Sequence, residues 1–299
     1  MFETIRKLVK YRRITNNYPQ TPIDKTFGIG RPIIDTEMCD GCDICREACP
    51  SEAITIVEGK AEISLDKCIF CGMCEDVCIK GAALMSHDIE LATGDKSSLV
   101  KSDNRPMEKG IKSLQADKED TETNASQKTK INHSYMKISD DDINKQDLSD
   151  IEGRLSRKIK KIYGRSLQIR EVDAGSCNGC DYEVNATCNP LNDIEKLGVH
   201  FVASPRHADM LLVTGPVSRN MEEALLKTYQ ATPSPKLVVA VGACACSGGI
   251  FRDSYAVQNG VDKILPVDVY IPGCPPRPAA IIYGILKALE IAEDRKKTK

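Results

Sequence analysis

Residues 39 to 78 hold eight cysteines in two copies of one pattern, "CDGCDICREACP" from Cys39 and "CIFCGMCEDVCI" from Cys68, repeated with a period of 29 residues. A stretch spaced C-x2-C-x2-C-x3-C twice over has little choice of fold. Its thiols are too close together for a disulfide framework of the secreted type, and thiols clustered in a reducing compartment point to metal. Three cysteines at two-residue intervals wrap a loop around one face of a cubane, and the fourth, on the helix that follows, reaches across to the other cluster. By that crossing rule Cys39, Cys42, Cys45 and Cys78 hold one [4Fe-4S] cluster, and Cys68, Cys71, Cys74 and Cys49 hold a second. Zinc prefers two separated C-x2-C pairs around one tetrahedral ion and has no use for a third cysteine at the same interval.

The remaining sequence is long enough for a second domain: the chain has 299 residues, 41% of them hydrophobic. The longest apolar run, near residues 237 to 246, is about half of what a membrane-spanning helix needs. The start, "MFETIRKLVKYRR", has no apolar core segment and no small-residue cleavage site, so the expectation is a cytoplasmic protein. Residues 1 to 34 carry 7 Lys and Arg against 2 Asp and Glu, whereas residues 35 to 86 carry 4 against 11. A basic leader before an acidic body offers no long basic face, which argues against a nucleic-acid partner.

Three segments follow from the pattern. Residues 1–86 form the cysteine-rich α+β unit, preceded by an amphipathic helix with Phe2, Ile5, Leu8 and Val9 on one face. That helix suits a membrane surface or a partner subunit, and packing against its own domain is the alternative. Residues 87–150 contain 10 Leu, Ile and Val in 64 positions and no Phe, the composition of a polar, disordered linker. Residues 151–299 alternate strand-like runs ("SLQIREVD", "HFVA", "DMLLVTG", "KLVVAVG", "VDVYIPG") with helix-like ones ("NMEEALLKTYQA", "RPAAIIYGILKALEIAEDRKK"), which predicts an α/β, flavodoxin-like domain with a mainly parallel sheet.

The six other cysteines lie in that last segment. Cys177 and Cys180 follow the first strand, Cys244 follows "KLVVAV", and Cys274 follows "VDVY". In an open α/β sheet, loops at the carboxyl ends of the strands converge on one crevice, so three loops supply four thiols, the number a third cubane requires. In the glycine-rich turn expected for "VGACACSGG", Cys244 is favoured over Cys246 because Gly242 lets the backbone bend close to the cluster, leaving Cys246 a nearby free thiol. Cys188 reads as a buried small hydrophobe. Four thiols alone do not separate iron from an all-thiolate zinc site, which stays open here. "GACACSGG" lacks the lysine of a phosphate-binding loop and does not match G-x-G-x-x-G. The four histidines, His87, His133, His200 and His207, are scattered and none is assigned to metal; for His207 a packing role is expected.

These motifs carry a resemblance. The N-terminal repeat, with "FGIGRPIIDTEMCDGCDIC" ahead of it, resembles two-cluster bacterial ferredoxins and the ferredoxin-type subunit of respiratory complex I and of membrane-bound [NiFe] hydrogenases. "CNGCDYE", "ASPRHADMLLVTGPV", "VGACACSGG" and "PGCPPRP" are similar to the small-subunit module shared by [NiFe] hydrogenases and the cluster N2 subunit of complex I. The resemblance implies a fused electron-transfer subunit with three [4Fe-4S] clusters, the third adjoining a catalytic centre in a separate [NiFe] large subunit or its nickel-free homologue. It also implies membrane-embedded partner subunits and an electron donor such as ferredoxin, formate dehydrogenase or carbon monoxide dehydrogenase. The complex I form has adjacent cysteines where hydrogenases have C-x-x-C, and Cys177 and Cys180 follow the hydrogenase form. In hydrogenases a glutamate at the position of Glu183 faces the large subunit and helps move protons; an ordinary solvated carboxylate is the alternative. Ala279 stands where the family often has an acidic residue. A complex I-like, quinone-reducing dehydrogenase is the rival reading, and a non-catalytic iron-sulfur sensor or scaffold the more distant one.

Overall fold

The computed structural model describes residues 30–86, 88–100 and 159–297. The expected N-terminal amphipathic helix and most of the expected linker lie outside the described residues. The N-terminal unit consists of two antiparallel strand pairs and two one-turn helices. Strand β1 (Pro32–Ile34) pairs with β4 (Ala83–Met85), and β2 (Ile54–Val57) forms a hairpin with β3 (Lys60–Ile63). Helices α1 (Ile44–Glu47) and α2 (Met73–Asp76) each carry the third cysteine of their repeat, Cys45 and Cys74, pointing inward.

The C-terminal unit is the predicted α/β layer, and all five strands lie where the apolar runs predict them. They are β5 (Leu167–Asp173), β6 (Val199–Phe201), β7 (Met210–Thr214), β8 (Leu237–Val241) and β9 (Val269–Ile271). The order is β6-β5-β7-β8-β9 with every pairing parallel; counted within the domain this is 2-1-3-4-5, the flavodoxin-like order. β7 and β8 are buried along their whole length, as continuous apolar strands of a sheet covered on both faces must be. One face packs against the long helix Pro278–Lys297, with Ile281, Ile285 and Leu289 in a core shared with Leu167, Ile169, Met210 and Val239.

The opposite face is covered by the helix Arg219–Ala231 and by the N-terminal unit itself. Ile34, Ile54, Ile63 and Leu65 belong to the same buried cluster as Val172, Leu211, Val213, Val238 and Ala240 of the sheet. Polar contacts frame this junction. The Ser247 hydroxyl donates to the Asp66 carbonyl at 2.7 Å, and Arg252 reaches the Ser51 carbonyl at 3.3 Å and the Glu52 carboxylate at 3.2 Å. The two units are therefore packed against each other along a shared apolar core.

The start of the expected linker is also structured. Thr93 forms an antiparallel bridge with Tyr270 on β9, the edge strand, with N–H···O distances of 3.1 and 2.8 Å in the two directions. Lys96 pairs with Asp262 at 2.8 Å, and the Leu65 amide donates to the Leu99 carbonyl at 2.7 Å. Ala92 joins the core on one face of the sheet and Leu99 the core on the other, so residues 88–100 wrap the sheet edge as a strap. An open edge strand exposes unpaired N–H and C=O groups, and covering it satisfies them. The polar composition concealed this because only two side chains, Ala92 and Leu99, have to be buried.

Leu99 is 3% exposed. The Leu99→Ala variant is expected to lose about 2–5 kcal/mol of stability in denaturant unfolding, as buried Leu truncations do. A solvated linker residue would change it by less than about 0.5 kcal/mol.

Candidate metal centres

Both quartets of the N-terminal unit assemble by crossing. Cys39, Cys42, Cys45 and Cys78 line one hollow of ≈ 380 Å³, and Cys49, Cys68, Cys71 and Cys74 line another of ≈ 330 Å³, open solvent at their mouths included. The backbone that places them is left-handed at equivalent positions of the repeat. Gly41 and Asp43 have φ of +70° and +73°, and Phe70 and Gly72, 29 residues on, have +57° and +79°. At Gly41 this is obligatory, since a Cβ there would lie 2.4 Å from the Gly59 carbonyl oxygen. Backbone amides point at the sulfurs: Ala53 N–H lies 3.3 Å from Cys49 Sγ, Ala82 N–H 3.2 Å from Cys78 Sγ and Phe70 N–H 3.4 Å from Cys68 Sγ.

The third quartet lies at the carboxyl ends of the parallel strands. Cys177 and Cys180 sit at the start of the helix Gly179–Ala186 after β5, Cys244 in a helix directly after β8, and Cys274 in the loop after β9. A Cβ on Gly242 would lie 2.5 Å from Cys180 Sγ, and the Ala243 amide donates to the Gly273 carbonyl at 2.7 Å, so the three loops meet. Burial, then the neighbouring thiols Cys274 and Cys177, pushes the Cys244 thiol up to about 12. Burial raises Cys180 as well, followed by Cys244, Cys274, Asp181 and Cys177. Buried thiols that resist ionisation on their own suit a cationic iron core, which binds the thiolate form.

"GACACS" is a short helix, Gly242–Ser247, rather than the expected glycine-rich turn. Residues two apart on a helix face about 200° apart. Cys244 accordingly joins the quartet, while Cys246 is wholly buried on the opposite side, its thiol 3.7 Å from the Ile271 carbonyl. Cys188, expected to be buried, is exposed: it lies just beyond the end of the helix Gly179–Ala186, and Val184 and Thr187 take the inward positions instead. His207, expected to pack, is exposed in the short turn Pro205–His207, and His200 faces Glu195 at 3.7 Å. His87 and His133 lie outside the described residues.

Two carboxylates beside the third quartet are not signalled by the sequence. Asp181, next to Cys180, accepts hydrogen bonds from Ser176 and, at 2.7 Å, from Thr214. Burial opposes its ionisation, yet the bonds from Ser176, Thr214 and Glu171 together hold its pKa below the usual carboxylate value. Glu171 on β5 is pushed up to about 7, first by burial and then by its hydrogen bond and charge repulsion with Asp181. Of the two, Glu171 is therefore the one that holds a proton below about neutral pH, while Asp181 stays ionised. Nothing in "IREVD" marks this, because the partner is ten residues away across a loop. Glu183 is half-buried; burial raises its pKa while the Arg277 guanidinium works against the rise.

A folded pKa near 7 against an ordinary 4.5 means that Glu171 contributes stability fully below about 4.5 and loses it as pH rises through about 7. Glu171→Gln keeps the donor to Asp181 without the titration. Thermal melts from about pH 5 to about pH 8 are expected to show the variant gaining on the wild type as pH rises.

Comparison with known proteins places both halves. Residues 31–79 match the model of a 4Fe-4S dicluster domain, and residues 177–288 match that of the NADH ubiquinone oxidoreductase, 20 Kd subunit. Formate hydrogenlyase subunit 7 of Escherichia coli is 49% identical over 150 residues, which are 50% of this chain and 57% of that protein. The probable membrane-bound hydrogenase subunit mbhJ of Pyrococcus furiosus is 49% identical over 140 residues, 46% of this chain and 84% of the relative. An NADH-quinone oxidoreductase subunit of Citrifermentans bemidjiense is 50% identical over 117 residues, 39% of this chain and 68% of the relative. With four thiols at the strand ends and a dicluster unit packed beside them, the chain is an iron-sulfur oxidoreductase subunit that belongs to the family of the 20 kDa subunit of NADH ubiquinone oxidoreductase.

Proposed function

We propose that the chain is the electron-transfer subunit of a membrane-associated, energy-converting [NiFe] hydrogenase, relaying electrons through three [4Fe-4S] clusters to or from a nickel-iron site in a separate large subunit. The observation that carries this reading is the grouping of twelve cysteines by fours within one packed body. Bound there, such clusters pass single electrons at potentials set by charge, hydrogen bonds to sulfur and solvent access. The chain's own residues supply those terms. Cys39, Cys42, Cys45 and Cys78 would hold the first cluster, Cys49, Cys68, Cys71 and Cys74 the second, and Cys177, Cys180, Cys244 and Cys274 the third. The amides of Ala53, Phe70 and Ala82 stabilise negative charge on the sulfurs. Glu183, beside Arg277, is the group proposed to move protons toward the large subunit.

The hydrogenase reading is supported by the two-residue spacing of Cys177 and Cys180 and by the hydrogenase names of the Escherichia coli and Pyrococcus furiosus relatives. The quinone-reducing alternative is supported by the family's description and by the NADH-quinone oxidoreductase relative. In either case the proposed partners are a large subunit and membrane-embedded subunits, with the chain peripheral on the cytoplasmic side and ferredoxin or formate dehydrogenase as donor. Among the described residues no helix is long and apolar enough to cross a membrane.

Anaerobically isolated protein is expected to hold about twelve iron atoms per chain and no zinc. Cys244→Ala is expected to remove about four of them while Cys246→Ala removes none; zinc, or equal loss in both variants, overturns the assignment. The purified complex is expected to reduce a dye with hydrogen. If it reduces quinone without any hydrogen-dependent activity, and its large subunit lacks paired C-x-x-C motifs, the alternative replaces the first reading.

A further inference from the structure

We infer that Phe70 is the bridging residue between the second and third cysteine quartets, packed so that electrons cross between the two units through side chains rather than water. The inference rests on the three-cluster reading above. Phe70 lines the hollow of Cys49, Cys68, Cys71 and Cys74, and it also lines a groove of ≈ 570 Å³, open solvent at its mouth included, whose other wall includes Cys274. Among the described residues, no other one lining the first of these hollows lines the second. The rest of the groove comes from the strap, through Ile89 and Leu91, and from the loop Pro272–Arg277 with Ala280. Phe70 is half-buried and packs on the apolar cluster that both units share.

The backbone marks the residue as well. Phe70 holds φ +57°, a region that bulky side chains rarely enter, and its equivalent in the first repeat is Gly41. A glycine would satisfy the turn without strain, so the ring at this position has a use that the loop fold does not require; an observed backbone outlier is a reason to look for function. The use follows from packing. Electron tunnelling falls off more slowly through contiguous side chains than across a gap, and an aromatic ring excludes water from the thiols on either side. The step that Phe70 assists is a one-electron transfer: the donor side is oxidised by one electron, the acceptor side is reduced by one, and no bond or proton changes hands.

The test uses the full chain with its clusters in place, in three variants: Phe70→Gly, Phe70→Leu and Phe70→Tyr. After flash reduction, low-temperature EPR follows the appearance of the third cluster's signal, identified by its loss in Cys274→Ser. Phe70→Gly relieves the strained backbone but gives up the ring's packing on the shared cluster, so it is expected to melt below the wild type while still folding and keeping its iron, and to slow the transfer about tenfold or more. Phe70→Leu is expected to fall between, and Phe70→Tyr to restore the wild-type rate. Wild-type transfer in Phe70→Gly with all three signals present overturns the inference. Fewer than three signals in the wild type would instead overturn the three-cluster reading on which it stands.

Discussion

The docking of the cysteine-rich unit onto a bare face of the parallel sheet is the interaction on which the other features of this molecule depend. By itself that unit offers a small apolar core of Ile34, Ile54, Ile63, Leu65 and a few alanines, because so many of its inward positions are thiols. Small units bury too little surface to be stable alone. The sheet has the complementary need: Leu211, Val213, Val238 and Ala240 point away from the long C-terminal helix and require a cover. Each unit supplies what the other lacks. This brings Phe70, which lines the hollow around Cys68, and the loop carrying Cys274 to one groove.

The strap over residues 88–100 belongs to the same solution. By bridging Tyr270 it covers the open edge at β9, and by placing Ala92 and Leu99 in different cores it pins the sheet edge to the unit that precedes it. Lys96 reinforces it through Asp262 and through the face of the Tyr270 ring, 5.7 Å from its centroid. Cation and ring contacts of this kind gain when they are partly shielded from water. Cys246 fits here too. It lies on the inner side of its short helix, against Ile271 and away from the quartet, and acts as a small core residue.

Around the third quartet, burial opposes charge on Cys180, Cys244, Glu171 and Asp181, and the protein answers with hydrogen bonds where it retains a charge. Asp181 keeps its charge because Ser176, Thr214 and Glu171 donate to it, and Glu171 holds its proton up to about neutral pH, first because it is buried and then because that charge is close. One negative charge is thus held one residue from Cys180, beside a carboxyl that gives up its proton only near neutral pH. Such a pair lowers the local cost of a charged carboxylate by sharing it, as closely placed carboxyl groups generally do.

The grouping of the thiols was legible from local spacing. The two four-cysteine repeats, the C-x-x-C after the first strand, and the apolar runs that became β5 to β9 are short-range patterns, and a short-range pattern survives in the linear order of residues. That Cys244 rather than Cys246 lies beside the other three thiols was also within reach, though the geometric reason is a helix where a turn was expected. What the linear order concealed was long-range: the shared core between units, the strap's route around β9, the exposure of Cys188, the coupling of Glu171 to Asp181, and the groove that Phe70 lines together with the Cys274 loop. Thiol spacing dictates what a loop can bind, because a ligand is wrapped by neighbours in the chain. Which surfaces are left bare to meet each other depends on how separate elements pack, and only the folded chain settles that.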